Sequence, residues 1–168
     1  MKINKVSDSG WYIEGAFDFA KEALNQINNW QNSENIDGSI KYQEAMIETL
    51  AMTNVNQVVE NLSQLWFEDN KLNKDDFVSS GWIVFHKKQK SMGIEHHTDI
   101  VADKKPGLTV LLYYSTNFDG GEFVFSDNTE FKPKEGDAVL ITGDHSHAVK
   151  SILSGERIVS LTSFFKKE

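Results

Sequence analysis

The chain has 168 residues, enough for one domain with one core. Its 25 acidic against 17 basic side chains leave a net charge of -8, which argues against a nucleic-acid backbone as the main partner, since phosphate binding needs clustered Lys and Arg. There is no cysteine, so disulfides, thiolate zinc sites and cysteine nucleophiles are excluded.

From the N-terminus, Met1 to Gly10 is polar and lacks the apolar core of a signal peptide. Trp11-Tyr12-Ile13 reads as a short strand. Asp18 is placed to cap a helix carrying Ala20, Ala23, Leu24, Ile27 and Trp30 at spacings of three and four. Gln31 to Ser39 is a loop by composition. A longer helical region is expected from about Ile40 to Phe67, with Val55, Val58, Val59, Leu62, Leu65 and Trp66 on one core-facing stripe. No apolar run approaches the roughly 18 residues of a membrane span, and the default location is cytoplasmic.

The second half changes period. Strands are expected at Trp82–Lys87, Glu95–Val101, Leu108–Ser115, Glu122–Phe125, Ala138–Thr142, His147–Leu153 and Arg157–Phe165, rich in Val, Ile, Phe, Tyr and Thr and punctuated by Gly, Asp, Asn and Pro. The basic run Lys87-Lys88-Gln89-Lys90 between two of them reads as a solvated loop. Helices first and short strands afterwards predict a mainly β, α+β fold. In it, N-terminal helices (about 16–67) pack on one face of a jelly roll (about 80–166), all within a single domain over 1–168.

Four of the five histidines fall in two clusters, Glu95-His96-His97-Thr98-Asp99 and Asp144-His145-Ser146-His147. In a strand, residues two apart share a face, so His97 and Asp99 can point together. A third ligand from a distant strand, His147, completes two imidazoles and one carboxylate. That set leaves open positions on one side of an octahedral metal, as in non-haem Fe(II) oxygenases. A His-x-Asp pair alone is weak, arising by chance about once in three chains of this composition. Arg157, ten residues past His147 and after a Ser154-Gly155 turn, adds a planar fork of donors suited to a carboxylate.

Taken with Leu111-Leu112-Tyr113-Tyr114-Ser115, Gly120-Gly121-Glu122-Phe123-Val124-Phe125 and His147-Ala148-Val149 through Gly155-Glu156-Arg157, these motifs resemble the prolyl-4-hydroxylase-like 2-oxoglutarate/Fe(II) dioxygenases in order and spacing. The resemblance covers about Trp82 to Phe165. It implies a double-stranded β-helix, with His97, Asp99 and His147 as iron ligands and catalytic centre. It implies that Arg157 binds the distal carboxylate of 2-oxoglutarate. Tyr114 lines up with a tyrosine sharing that carboxylate, although Tyr113 competes and strand parity lets only one face in. Gly120 and Gly121 match a turn or bulge. The implied cofactors are Fe(II), 2-oxoglutarate and O2, with ascorbate possible.

The implied reaction is hydroxylation of a C–H bond with release of succinate and CO2. The substrate expected by resemblance is a prolyl residue of a peptide or protein; the alternatives are a small molecule such as a free amino acid, or a non-catalytic metal-binding jelly roll. A cupin is disfavoured because His145-Ser146-His147 is not followed by a nearby Glu. Nucleic-acid demethylation is disfavoured because Ser163 stands where a second Arg is usual. Ile94 stands where the family often has Tyr, and His86 is a candidate replacement contact. The polar loops 31–39 and 87–93 are candidates to close over a peptide.

Overall fold

The computed structural model describes residues 1–7, 10–89, 93–100 and 103–168. In chain order the strands are β1 (Lys2–Ser7), β2 (Gly10–Glu14), β3 (Gln31–Glu34), β4 (Ile40–Glu48), β5 (Phe77–Ser79), β6 (Trp82–Lys88), β7 (Ile94–His97) and β8 (Leu108–Tyr113). They continue with β9 (Phe118–Gly120), β10 (Phe123–Val124), β11 (Glu130–Phe131), β12 (Ala138–Ile141), β13 (His147–Val149), β14 (Ile152–Gly155) and β15 (Arg157–Lys166). Two α-helices lie among the described residues, α1 (Ala20–Asn25) and α2 (Thr53–Asp69).

A major sheet runs in the order β1-β2-β12-β8-β15-β6-β4-β3, with β5 also on β15, and a minor sheet in the order β11-β10-β13-β7. The architecture is a mainly β jelly-roll sandwich with helices on one outer face. Alternation along each major-sheet strand sorts side chains onto two faces. Ile13, Phe85, Leu112, Tyr114, Leu140 and Ile158 face α1 and α2 in one apolar cluster. Tyr12, Leu111, Tyr113, Val139 and Val159 face the minor sheet in the other. On α2, Val55, Val59, Leu62, Trp66 and Phe67 are buried, each contributing about 1.5–3 kcal/mol of transfer free energy.

The N-terminal half departs from the expected helices. Ile40–Glu48 is strand rather than helix, pairing with β6 from Gln43↔Lys87 to Glu48↔Trp82. Its residues alternate: Ala45 and Ile47 turn to the core, and the pairing satisfies backbone groups along β6. Gln31–Ser39 is not all loop, because β3 pairs with β4 and only the tip is a turn, closed by Asn35 and Asp37 onto Ser39. Helix α1 has six residues and starts at Ala20; Asp18 makes no capping bond, and Phe19 holds the N-cap position. Trp30, expected on that helix, lies beyond it, edge-on to Phe85. On α2, Leu65 is exposed, and Ser63 and Phe67 complete the buried stripe.

Elsewhere the expected strands are present with shifted ends. β7 stops at His97, so Asp99 follows the strand, and Val101 lies outside the described residues. His147–Leu153 divides into β13 and β14, and β14 pairs with β9. Gly120 and Gly121 have φ of +73° and +69°. A Cβ on Gly120 would lie 2.0 Å from the Ser151 carbonyl oxygen, so the turn requires glycine there for both conformation and space. Among the described residues no helix is long and apolar enough to cross a membrane.

Candidate metal and cosubstrate site

The site lies between the sheets. β7 and β13 pair with His97 opposite His147, which brings the two rings to 4.4 Å. Each ring is aimed the same way. His97 Nδ1 lies 2.8 Å from the Glu95 carbonyl and His147 Nδ1 lies 2.9 Å from the His145 carbonyl. A carbonyl only accepts, so each Nδ1 carries the proton and each Nε2 keeps its lone pair. Both lone pairs meet the Asp99 carboxylate, whose Oδ1 is 3.5 Å from His97 Nε2 and 3.6 Å from His147 Nε2. One donor atom from each of the three residues lies within 4.8 Å of the others. Phe123 stacks on the His147 ring, 5.3 Å away at 12°.

Burial holds the His147 imidazole below its ordinary pKa, and so favours the neutral, ligating form. The donor set fits a first-row divalent metal: two imidazoles and a carboxylate, gathered on one side, with tautomers fixed by backbone carbonyls.

These residues share a cavity of about 370 Å³ with Arg157, His86 and Lys88. Arg157 is buried, and Ser115 Oγ fixes the chain on both sides of it. That hydroxyl donates to the Glu156 carbonyl at 2.8 Å and accepts from the Ile158 amide at 3.0 Å. Nη2 of Arg157 donates to the Tyr113 hydroxyl at 3.0 Å, while its Nε has no protein partner among the described residues. An unpaired donor on a buried guanidinium is rare and fits a site built for an external carboxylate. Gly121, beside Arg157, has a positive φ, and a Cβ there would sit 2.9 Å from the Phe118 ring.

Tyr114 does not reach this cavity. Its side chain lies in the helix-facing cluster with its hydroxyl 2.8 Å from Ser160 Oγ, and Tyr113 takes the inward position. Strand parity on β8 decides this: Leu111 and Tyr113 share the inner face, and Leu112 and Tyr114 the outer one. His86 does line the cavity. Burial, followed by the charges of Lys88 and Arg157, pushes its pKa to about 4. His96 is exposed near Ser146, and His145 is buried against Phe125 and accepts from the Ser126 amide.

Two polar lining residues, Lys41 and Tyr42 of β4, were not expected at the site, and Lys88 was expected only as part of the loop 87–93. For Lys41 and Tyr42 no local signal decides, because Ile40–Glu48 is a strand only through its pairing with β6. Lys88 ends a strand opposite Arg157 rather than sitting in a solvated loop. Of the loop 87–93, residues 90–92 lie outside the described residues.

A family model described as the 2OG-Fe(II) oxygenase superfamily matches residues 82–166, just over half of the chain. The chain belongs to this superfamily. Membership implies chemistry of the 2OG-Fe(II) oxygenase type, with Fe(II) and 2-oxoglutarate as cofactor and cosubstrate. A PKHD-type hydroxylase of Prochlorococcus marinus (strain AS9601) is 28% identical over 149 residues, taking in 80% of this chain and 66% of that protein. The chain thus spans just under two thirds of that relative's length. Among solved structures, the viral collagen prolyl hydroxylase of Paramecium Bursaria Chlorella virus-1 in its 2OG complex matches with a TM-score of 0.71 at 14% identity, covering 96% of this chain and 98% of that one. The non-heme alpha ketoglutarate dependent epimerase SnoN from nogalamycin biosynthesis matches at 0.67 and 10% identity, covering 95% and 77%. At such identities these two likenesses speak to the fold.

Proposed function

We propose that the oxygenase hydroxylates a prolyl residue of a peptide or protein, consuming O2 and 2-oxoglutarate and releasing succinate and CO2. One observation carries the chemistry. A His97–Asp99–His147 donor set and a buried Arg157 with a spare donor line one cavity. The balance is simple: one oxygen atom enters the substrate C–H bond as hydroxyl, and the other enters succinate as the keto acid loses CO2.

His97, Asp99 and His147 would hold Fe(II), which supplies O2 activation coupled to that decarboxylation. Arg157 pairs with the distal carboxylate of 2-oxoglutarate, and the Tyr113 hydroxyl orients the guanidinium. The apolar wall of Leu111, Phe123, Val149, Val159 and Leu161 excludes water around both. His86, held neutral near physiological pH, offers a hydrogen bond without adding a third positive charge beside Arg157 and Lys88. Hydroxylation rests on similarity to a PKHD-type hydroxylase, and the prolyl substrate on the fold shared with a viral collagen prolyl hydroxylase.

The test is an anaerobic optical titration of Fe(II)-loaded protein with 2-oxoglutarate, followed by succinate assays with prolyl peptides. A charge-transfer band that vanishes in His97→Ala and needs far more 2-oxoglutarate in Arg157→Ala supports the site. Absence of the band in folded wild type would sink the oxygenase mechanism. A band with no peptide-dependent succinate would remove only the prolyl substrate.

A further inference from the structure

The cavity holds more positive charge than iron and 2-oxoglutarate use. Lys41, Lys88 and Arg157 all line it, in a chain whose net charge is -8. Arg157 and Lys88 start from one place, paired across β15 and β6. From there they diverge. Arg157 reaches back to Tyr113 on β8, one strand to one side. The Lys88 ammonium lies 5.6 Å from the Tyr42 ring on β4, one strand to the other side. Cations directed over different strands can serve two anion positions instead of one clamp.

The second position lacks an internal counter-ion. Among the described residues neither Lys41 nor Lys88 makes an ion pair or a hydrogen bond. The nearby acid, Glu44, points instead toward His86, with Oε2 3.7 Å from Nε2. Burial, then Arg157 and Lys41, hold the Lys88 amine down to about 8, so an anion beside it relieves a charge crowded by like charges. Asp99 is committed to the metal, and Arg157 to the distal carboxylate of the cosubstrate. Two positive charges then remain unmatched on the β4 side, where Lys41 is exposed and Tyr42 partly so.

We propose that Lys88, with Lys41 beside it, is a specificity-determining anchor for a carboxylate carried by the primary substrate, which enters along β4. The proposal rests on the oxygenase reading of the cavity. It refines the substrate to one with an acidic group close to the hydroxylated carbon. For a prolyl peptide, that group is an acidic residue neighbouring the proline.

The experiment is anaerobic calorimetric titration of the Fe(II)- and 2-oxoglutarate-loaded protein with paired probes differing by one charge. One pair is an N-acetylated Pro-Glu amide and its Pro-Gln twin. The other is N-acetylglutamate amide and its glutamine twin, which carries no proline. Wild type should prefer the acid of a pair about ten-fold, the scale of one charge-assisted hydrogen bond. Lys88→Met, which keeps the stem and removes the charge, should bind both members equally. It should also keep 2-oxoglutarate affinity within about three-fold, showing a folded site. A Lys88-dependent preference in the second pair alone would support the anchor while removing the prolyl substrate. No preference in either pair, a preference that survives Lys88→Met, or a loss of 2-oxoglutarate affinity as large as in Arg157→Met would each overturn it.

Discussion

Nη2 of Arg157 donates to the Tyr113 hydroxyl at 3.0 Å, and the guanidinium carbon sits 5.2 Å from the same ring. Tyr114, one residue on, crosses to the other face and bonds Ser160. The two tyrosines therefore answer differently to the same substitution. Tyr113→Phe should raise the 2-oxoglutarate dissociation constant about ten-fold, because a hydrogen bond to a charged group is worth roughly 1.5–3 kcal/mol. Tyr114→Phe should leave that constant within two-fold and lower stability by about 1 kcal/mol. Optical titration beside urea unfolding reads both.

Metal binding should be visible as stability. The donor set draws from β7, the segment after it, and β13. A metal at a hundred times its dissociation constant should add about 2.7 kcal/mol to unfolding. Thermal melts with Mn(II), before and after chelator, measure the gain. It should disappear in Asp99→Ala and in His147→Ala, and persist in His96→Ala, whose side chain is exposed and outside the donor cluster.

His86 predicts an acid weakness of defined sign. Its folded pKa is about 4 against 6.5 unfolded, with burial the main cause and Lys88 and Arg157 adding to it. The Glu44 contact, at 3.7 Å, is too long for a hydrogen bond and does not reverse this. As pH falls through 6.5 the unfolded chain takes a proton that the folded chain refuses until about 4. Stability is therefore intact above this window and lost on descending it. At about 1.4 kcal/mol per pH unit, the loss reaches up to about 3 kcal/mol. In metal-free protein, wild type should lose that much more than His86→Gln between pH 7 and pH 4. Parallel curves for the two would contradict a buried, neutral His86.

Gly120→Ala should destabilise by about 2 kcal/mol or more. The new methyl meets the Ser151 carbonyl, and the positive φ adds about 1 kcal/mol of strain. The cost should come with weaker 2-oxoglutarate binding, because the displaced strand β9 pairs with β14, which leads directly into Arg157. Denaturant unfolding checks the stability loss, and the optical titration checks the binding loss.

The site half of the molecule was legible because its signals are local. His97, Asp99, His147 and Arg157 sit in short motifs whose spacing survives any uncertainty about strand ends. The tyrosine choice was not legible, since Tyr113 and Tyr114 differ only by parity, and parity depends on register with β15 and β12. The N-terminal half misread for a different reason. Ile40–Glu48 has enough Ala, Glu and Met to pass for helix, and only the vacant edge of β6, a tertiary fact, makes it a strand. Lys41 and Tyr42 lie on that strand. Lys88 likewise lies in strand and not loop, because β6 runs one residue further than its apolar pattern.

His147 and Arg157 belong to opposite sheets, yet ten residues of continuous chain, through β14, join them. In the proposed site, one end of 2-oxoglutarate meets the metal at the minor sheet and the other meets Arg157 at the major sheet. The protein is then a caliper whose jaws are its two layers. Its gap is set by the thickness of the sandwich, about 10 Å in such packings, and not by a loop that could yield. Oxaloacetate, one carbon shorter, leaves a jaw unmet. A keto diacid one carbon longer must push close-packed layers away from each other. In that site, discrimination among cosubstrates would be a property of the whole fold, exerted through its spacing.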